Sequence, residues 1–563
     1  MKKKVPEATG FENEIWAYAL RNAIEHGRAV PGKVLPKLFG HGLKKEDVGK
    51  VMPELRKIVA KVDIMSDKER ADSMNLYSQY LKERPEQENF LPALPGHTSG
   101  GKVVLRLAPF PSGALHIGNA RTYMLNALYA EAYEGRVLLV MDDTIGSVDK
   151  PVDPDAYKLI EDGLKWLKID YGKKVHYKSS RAKEYYKVAE ELIKKGAAYV
   201  CHCKAEELRK YRREGVACGH RMLPADVQLL RWKEMFADEP GGSVLRLKTD
   251  MQDPNPAFRD RVLFKVSDRE HPRTGTKIRV WPTLEMSWAV DDVQLGISHV
   301  IRGNDLQMET QTERFIWDLL GWEGPEVMHT GLVKVDISGA NVSKSKSRAQ
   351  VKSGEFSGWD DPRTWSLQSL KRRGIKPEAF RAFVKELGVT KNDVTVPIET
   401  LYALNRTLVD KSAKRFSFVI DPKELVVDGA PYWKHVDVPV HPEKDDTRRV
   451  MLGKKIYVPG GDWRASKGKT VRLLHLYNVQ LPASGAKAVH MGESVEAKMP
   501  KIQWVSHHVP VEVVMPDGSH VEGVGEAGLE KLRPGAVVQF ERFGFVRFDG
   551  VEKGKKRFWF SHK

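Results

Sequence analysis

Residues 103–144, VVLRLAPFPSGALHIGNARTYMLNALYAEAYEGRVLLVMDDT, decide the fold. Residues 103–107 form a short apolar run with β-branched side chains, the pattern of a buried strand. Pro109, Pro111 and Gly113 then block a helix and predict a compact turn. From 116 to 134 apolar residues recur at helical spacing, and Gly135 is the expected C-cap. Residues 136–141 are a second apolar run, so the stretch reads as a right-handed, parallel βαβ unit. Its loop delivers His116, Gly118 and Asn119 to a helix N-terminus. Backbone N–H groups there lack intrahelical acceptors, and the helix dipole favours an anion. Gly118 permits close approach to the backbone, while His116 and Asn119 add donors. A phosphate chain fits this arrangement; an ordinary crossover with a surface histidine is the competing reading.

The 563 residues are 41% apolar and 30% charged, which predicts several globular domains. No apolar run approaches the ~20 residues of a membrane span. The basic start MKKKVPEATG lacks the apolar core of a signal peptide. A cytoplasmic protein with no membrane partner is therefore expected. A net charge of +17 suits a polyanionic partner, although a merely basic surface gives the same total. The only cysteines are Cys201, Cys203 and Cys218, which excludes a disulfide scaffold. With His220 they form C-x-C…C-x-H, closed by the loop 204–217. Three thiolates and one imidazole suit a closed, structural tetrahedral zinc site. His202 is a weaker candidate ligand, and a simple cluster of buried cysteines is the alternative.

Residues 1–97 read as a charged helical extension, ending in a Pro/Gly-rich linker over about 85–101. Residues 98–178 are one half of a nucleotide-binding fold. Asp142-Asp143-Thr144 follows its second strand at the carboxyl edge, where ligands of open α/β sheets bind and where plain turn residues also occur. Residues 179–280 look like an insertion, and 281–357 return to the α/β pattern. There Asp291-Asp292 precedes a strand, ISHVI, that runs into Arg302. That arginine suits either bidentate capture of a carboxylate or a surface ion pair. NVSKSKS, 341–347, reads as a cationic loop able to close over phosphates, or as a solvated turn. Residues 358–415 read as helical, with Lys371-Arg372-Arg373 placed to follow a phosphate backbone. From 416 to 563 short alternating strands predict β-barrels, whose aromatics suit either base stacking or barrel core.

In this order the chain resembles the class I aminoacyl-tRNA synthetases of the glutamyl/glutaminyl group. RLAPFPSGALHIGN (106–119) is similar to the signature R-F-x-P-x-P-x-G-x-L-H-[IV]-G-H, with Asn119 at its last position. DDT (142–144), WPT…VDD…GISHVIRGND (281–305), the SKS loop, GWDDPR (358–363), LKRRGI (370–375) and VQFERFGFVRFD (538–549) follow in family order. The β-rich end makes it similar to the archaeal glutamyl type. WPTLEM departs from the family, with Leu284 where tyrosine is common.

The resemblance implies a Rossmann-like catalytic domain (98–178 and 281–357) and an acceptor-end-binding insertion carrying zinc (179–280). It further implies a helical stem-contact region (358–415) and an anticodon-binding barrel region (416–563). The implied activity is an AMP-forming glutamate–tRNA ligase using ATP with Mg2+. Its partners would be L-glutamate, tRNA(Glu), tRNA(Gln) in a non-discriminating enzyme, and a tRNA-dependent amidotransferase. Glutaminyl specificity or a non-catalytic tRNA-binding paralogue are the rivals. Carried over by position, Pro109, His116, Gly118, Asn119 and Arg302 bind ATP, with His116 and Asn119 catalytic. Arg106, Asp142 and Arg302 hold glutamate. The catalytic lysine is Lys344 or Lys346, depending on the register of the loop.

Overall fold

The computed structural model describes residues 10–81, 91–98, 100–145, 151–337, 344–495 and 499–563. They fall into two compact units, 1–90 and 91–563. The boundary thus lies before residue 97, because the linker end packs on the larger unit. Tyr129 donates to the Pro92 carbonyl at 2.9 Å, the His299 ring meets the Pro95 carbonyl at 3.0 Å, and Leu94 is buried.

The smaller unit is helical. Glu12–His26, Pro31–Leu38, Val48–Ile64 and Asp67–Tyr77 enclose Ile15, Leu20, Val34, Leu55 and Val62. Ser66 and Glu69 form a reciprocal capping box that starts the last helix. The buried Arg70 guanidinium staples that helix to the Val62, Asp63 and Gly27 carbonyls at 3.0–3.1 Å.

In the larger unit Val104–Leu107, Arg136–Met141 and Val175–Tyr177 pair in parallel, in that order. His299–Gly303 and Glu326–Thr330 form a second parallel pair. The pairs meet where the Ser298 N–H donates to the Val104 carbonyl at 2.9 Å and the Val104 N–H donates to Ser298 Oγ at 2.8 Å. The strand order therefore reverses between Val104–Leu107 and His299–Gly303. Such a switch point opens a crevice at the carboxyl ends of the strands.

The crossover helix spans Ile117–Ala132. Gly135 is not its left-handed cap: Glu134 takes that conformation, with φ 50°. Gly135 instead lies where a β-carbon would collide with the Val103 carbonyl. The sequence pattern marks a glycine constraint here but assigns it to dihedral angle rather than to close packing against the first strand.

The insertion is a four-stranded antiparallel sheet, Ala198–Cys201, Val244–Leu247, Val262–Val266 and Val280–Pro282. Its core residues Leu192, Trp232 and Phe264 merge with Met286 and Trp317 of the catalytic half. The stretch 358–415 is mainly helical but includes the strand Val394–Pro397, which pairs in parallel with Val333–Asp336. Three consecutive β-branched residues, Val394, Thr395 and Val396, favour that extended pairing over helix. Arg373 is fully buried and donates to the Phe560 and Ser561 carbonyls at 3.1 and 2.8 Å. Arg372 holds Asp549 at 2.7 Å and Asp360 at 2.9 Å. These two arginines fasten the C-terminal sheet to the body and do not form the phosphate-tracking run that the sequence suggested. The C-terminal region comprises a seven-stranded and a six-stranded sheet, with separate cores around Val511, Phe540 and Phe558 and around Leu425, Val458 and Val479. No helix among the described residues is long and apolar enough to cross a membrane.

Candidate active site

Two adjoining cavities lie at the switch point. The first, about 370 Å³, is lined by His116, Gly118, Asn119, Arg121, Arg302 and Lys334, among others. The second, about 580 Å³, is lined by Asp142, Thr144, Leu284 and Glu285, and by Arg212, Arg261 and Lys265 of the insertion. Ala108 and Trp288 border both.

His116 is the N-cap of the Ile117–Ala132 helix. Its Nδ1 accepts the Gly118 N–H at 3.1 Å, and Asn119 Oδ1 accepts the His116 N–H at 3.0 Å. An imidazole that accepts through Nδ1 carries its proton on Nε2 in the neutral form. The neutral His116 ring thus carries its proton on Nε2, and both it and Asn119, whose Oδ1 is committed, line the cavity. A β-carbon on Gly118 would crowd the His116 ring at 3.1 Å. The turn before this helix is held by the GWDDPR segment. Gly113 has φ 147°, and a β-carbon there would fall within the Trp359 indole. Gly113→Ala is accordingly expected to destabilise the protein by about 1–3 kcal/mol, combining backbone strain and overpacking. A thermal melt followed by tryptophan fluorescence would detect it, and an unchanged midpoint would refute the packing account.

Arg121 anchors the same helix to the far side of the cavity. It donates to the Gly331 carbonyl at 3.2 Å and the Gly388 carbonyl at 2.7 Å. Burial pulls its guanidinium down to about 10. Gly331 leads into Val333–Asp336, the strand before the lysine loop. Residues 338–343 and the Lys344 side chain lie outside the described residues. A helix begins at Lys344, and Lys346 in its first turn is exposed. Positions two apart on a helix are separated by about 200°, so 344 and 346 lie on opposite faces.

Behind the cavities lies a buried array of charges. Asp292 clamps Arg106 through both carboxylate oxygens, with Nη2 to Oδ2 at 3.0 Å. Glu313 clamps Arg302 in the same bidentate manner, with Nη1 to Oε1 at 2.9 Å. Lys178 Nζ is 3.0 Å from Asp142 Oδ1, off the hydrogen-bonding direction, and donates to Ser287 Oγ at 2.8 Å. Asp291 takes Arg181 at 2.6 Å and Tyr185 at 2.8 Å. Burial opposes each charge. It raises the carboxyl groups of Asp291 and Glu313 despite their cationic partners and lowers Lys178 despite Asp142. For Arg106 burial is more than offset by Asp292, so its guanidinium stays above its ordinary range. Pro109 joins the signature loop to the strand end, its carbonyl accepting the Asp142 N–H at 3.0 Å.

Apart from Pro109, Lys344 and Lys346, the site residues named from sequence separate into two groups. His116, Gly118, Asn119, Arg106, Asp142 and Arg302 border the two cavities or the array behind them. Cys201, Cys203, Cys218 and His220 gather elsewhere, in the insertion. Their ligand atoms lie within 4.8 Å of one another, with Cys201 and Cys218 sulfurs 3.7 Å apart. A tetrahedron with zinc–sulfur bonds of about 2.3 Å has sulfur–sulfur edges of roughly 3.8 Å, so the donor set and its spacing fit that metal. Arg246 Nη1 lies 3.8 and 3.9 Å from the Cys201 and Cys218 sulfurs, a cation beside an anionic ligand set. The loop between Cys203 and Cys218 carries the helix Ala205–Glu214, and with it Arg212 of the second cavity.

Sequence reasoning did not find Lys178, Trp288, Glu313 or Arg121. A signal existed for Glu313, which precedes Ile316, Trp317 and Leu320 at helical spacing and so lies on the buried face of its helix. An acid on an apolar stripe requires a buried partner. Lys178 and Trp288 gave no comparable pattern.

Comparison with known proteins agrees with this architecture. Residues 102–411 match the catalytic-domain model of "tRNA synthetases class I (E and Q)". Residues 413–497 and 501–549 match the two anti-codon binding domain models of the same group. A glutamate–tRNA ligase of Pyrococcus abyssi is 41% identical over 569 aligned positions, covering 97% of this chain and 98% of that protein. One from Pyrococcus furiosus is 40% identical, covering 97% and 98%. One from Methanothermobacter thermautotrophicus is 39% identical, covering 98% and 99%. The chain belongs to the class I tRNA synthetases of the E and Q group.

Proposed function

We propose that the protein attaches L-glutamate to the 3′ end of tRNA(Glu) in two steps. The glutamate α-carboxylate attacks the α-phosphorus of ATP, supplied with its Mg2+, and pyrophosphate leaves. A hydroxyl of the terminal tRNA adenosine then attacks the adenylate carbonyl, and AMP leaves. No protein nucleophile is required, so the protein's contribution is positioning and stabilisation of charge. The observation that carries this reading is the join between the two cavities. His116, Gly118 and Asn119 supply donors at a helix N-terminus in one, where a triphosphate fits. Asp142 borders the other, suited to the substrate ammonium, with Arg106 and Arg302 lining the first and Lys178 Nζ 3.0 Å from Asp142. Arg212, Arg261 and Lys265 give the second cavity a cationic rim suited to the acceptor-end phosphates. The relatives' names support glutamate as the amino acid.

The proposal extends to non-discriminating charging of tRNA(Gln), with a tRNA-dependent amidotransferase completing the product. The deciding experiment is charging of purified tRNA(Glu) and tRNA(Gln) with each amino acid. Glutamate on both supports the full proposal, and glutamate on tRNA(Glu) alone restricts it. Glutamine without glutamate overturns it in favour of the glutaminyl activity, and no charging at all favours the non-catalytic paralogue.

Zinc is proposed at Cys201, Cys203, Cys218 and His220 as a structural cross-link that fixes the loop carrying Arg212. Purified protein is expected to hold one zinc per chain. Cys218→Ser should lose the metal and weaken tRNA binding more than ATP binding; elemental analysis and separate KM values test both. Unchanged zinc content in Cys218→Ser would eliminate the site.

A further inference from the structure

Only Trp365 and Ser366 separate the turn Pro362–Thr364 from the helix Leu367–Arg372. Trp365 makes that change of direction in the left-handed region, with φ 52° and ψ 25°. A bulky L-residue rarely adopts this conformation, and such strain persists only where the surroundings enforce it. Its ring is 3% exposed and lies under the Arg373 guanidinium at 4.6 Å. Arg373 is itself held by the Phe560 and Ser561 carbonyls and by Tyr402 Oη at 2.7 Å. On either side of Trp365, the Thr364 and Ser366 hydroxyls both reach the Trp359 carbonyl.

This strained residue meets the start of the helix that carries His116. The Trp365 carbonyl accepts the Ile117 N–H at 3.3 Å, and the Leu367 N–H donates to the Leu115 carbonyl at 2.8 Å. The two bonds flank His116 and pair it with Ser366 in an antiparallel bridge. Ile117 is the first residue of its helix, so its N–H has no intrahelical acceptor. The next N–H, of Gly118, goes to His116 Nδ1. A change of φ at 365 would swing the carbonyl away from Ile117. We propose that Trp365 is a positioning residue for His116: its left-handed backbone, clamped under Arg373, presents the carbonyl that fixes the helix start. This rests on the proposed part of His116 in glutamate charging.

Two pairs of variants of the full-length protein separate backbone from ring. Trp365→Gly and Trp365→Ala empty nearly the same space, but only glycine takes positive φ without strain. Trp365→Asn and Trp365→Leu are alike in size; asparagine tolerates the left-handed region, whereas leucine suits the apolar site. Charging of tRNA(Glu) with glutamate and ATP is measured below the lowest thermal midpoint of the set, so that every variant is folded. There kcat is expected to fall about tenfold or more in Trp365→Ala and Trp365→Leu, the effect of a displaced catalytic group. Trp365→Gly should keep at least about fivefold more kcat than the alanine variant, and Trp365→Asn as much more than the leucine variant. The KM values for ATP and glutamate should change by less than about threefold, because the loss falls on the transition state. A ring that merely fills space predicts leucine as the best replacement and no advantage of glycine over alanine. Either of those results overturns the assignment, as does unaltered kcat in all variants. Failure of the unmodified protein to charge glutamate, or full activity in His116→Ala, would instead refute the underlying reading, so the two failures are distinguishable.

Discussion

His116→Ala is expected to reduce kcat for glutamate charging by about 10²–10³, the loss found when a preorganised donor to a developing anion is removed. The fold should change little. Losing an N-cap side chain costs about 1 kcal/mol, whereas the activity loss corresponds to roughly 3–4 kcal/mol of transition-state stabilisation. The two effects can therefore be separated by comparing the charging rate with the thermal midpoint. The tautomer is part of the reason: Nδ1 accepts the Gly118 N–H, which places the neutral ring's proton on Nε2, and the side chain lines the cavity. Asn119→Ala removes only the reciprocal bond to the His116 backbone and its own amide donor, and should cost less. In the same assay Lys344→Ala and Lys346→Ala should behave differently, because positions 344 and 346 lie on opposite faces of the helix. The lysine that meets the phosphates should lose about as much activity as His116→Ala. Full activity in both lysine variants would remove the loop from the mechanism, and full activity in His116→Ala would remove the helix N-terminus.

The second large effect is on stability. Glu313→Ala should destabilise the catalytic unit by about 3–5 kcal/mol, because it leaves the Arg302 guanidinium, 4% exposed, without its anion. The pair itself is not a large net source of stability. Burial, together with the like charge of Asp292, raises the Glu313 carboxyl even with a bidentate arginine in place, and taking both charges out of water opposes their attraction. Replacing both partners with apolar groups, Arg302→Met with Glu313→Leu, should therefore recover most of the lost stability. The double variant should remain unable to charge glutamate, since Arg302 also lines the cavity that His116 and Asn119 border. Differential scanning calorimetry of the wild-type, single and double variants reads the first effect, and charging reads the second. A double variant no more stable than Glu313→Ala would show that the pair itself stabilises the fold.

Much of this organisation is local and therefore legible in one sequence. The βαβ unit at 103–144 follows from apolar runs and turn residues acting over a few positions. The helix N-terminus that presents His116 and Asn119 is equally local. The cysteine–histidine set was readable because thiolates are scarce in this chain and closely spaced. The apolar runs before them already placed Asp142 and Arg302 at strand ends, and the resemblance carried Arg106 to the same locality and gave all three a role.

The tertiary structure decided what those side chains face. Arg106 meets Asp292 across 186 positions of chain, and the Trp288 ring collects cations from three separate segments. The basic run 371–373 shows the same limit. Arg372 and Arg373 look available to phosphate, yet the C-terminal sheet provides carboxylate and carbonyl partners that bury or engage them. Gly135 is constrained by a strand and Gly113 by a distant indole. Sequence determined the secondary elements, the ligand types and the helix terminus, because capping, periodicity and turn chemistry act within a few residues. Only the fold decided which charges are paired, because pairing in a buried array depends on segments that lie far apart along the chain until they pack against one another.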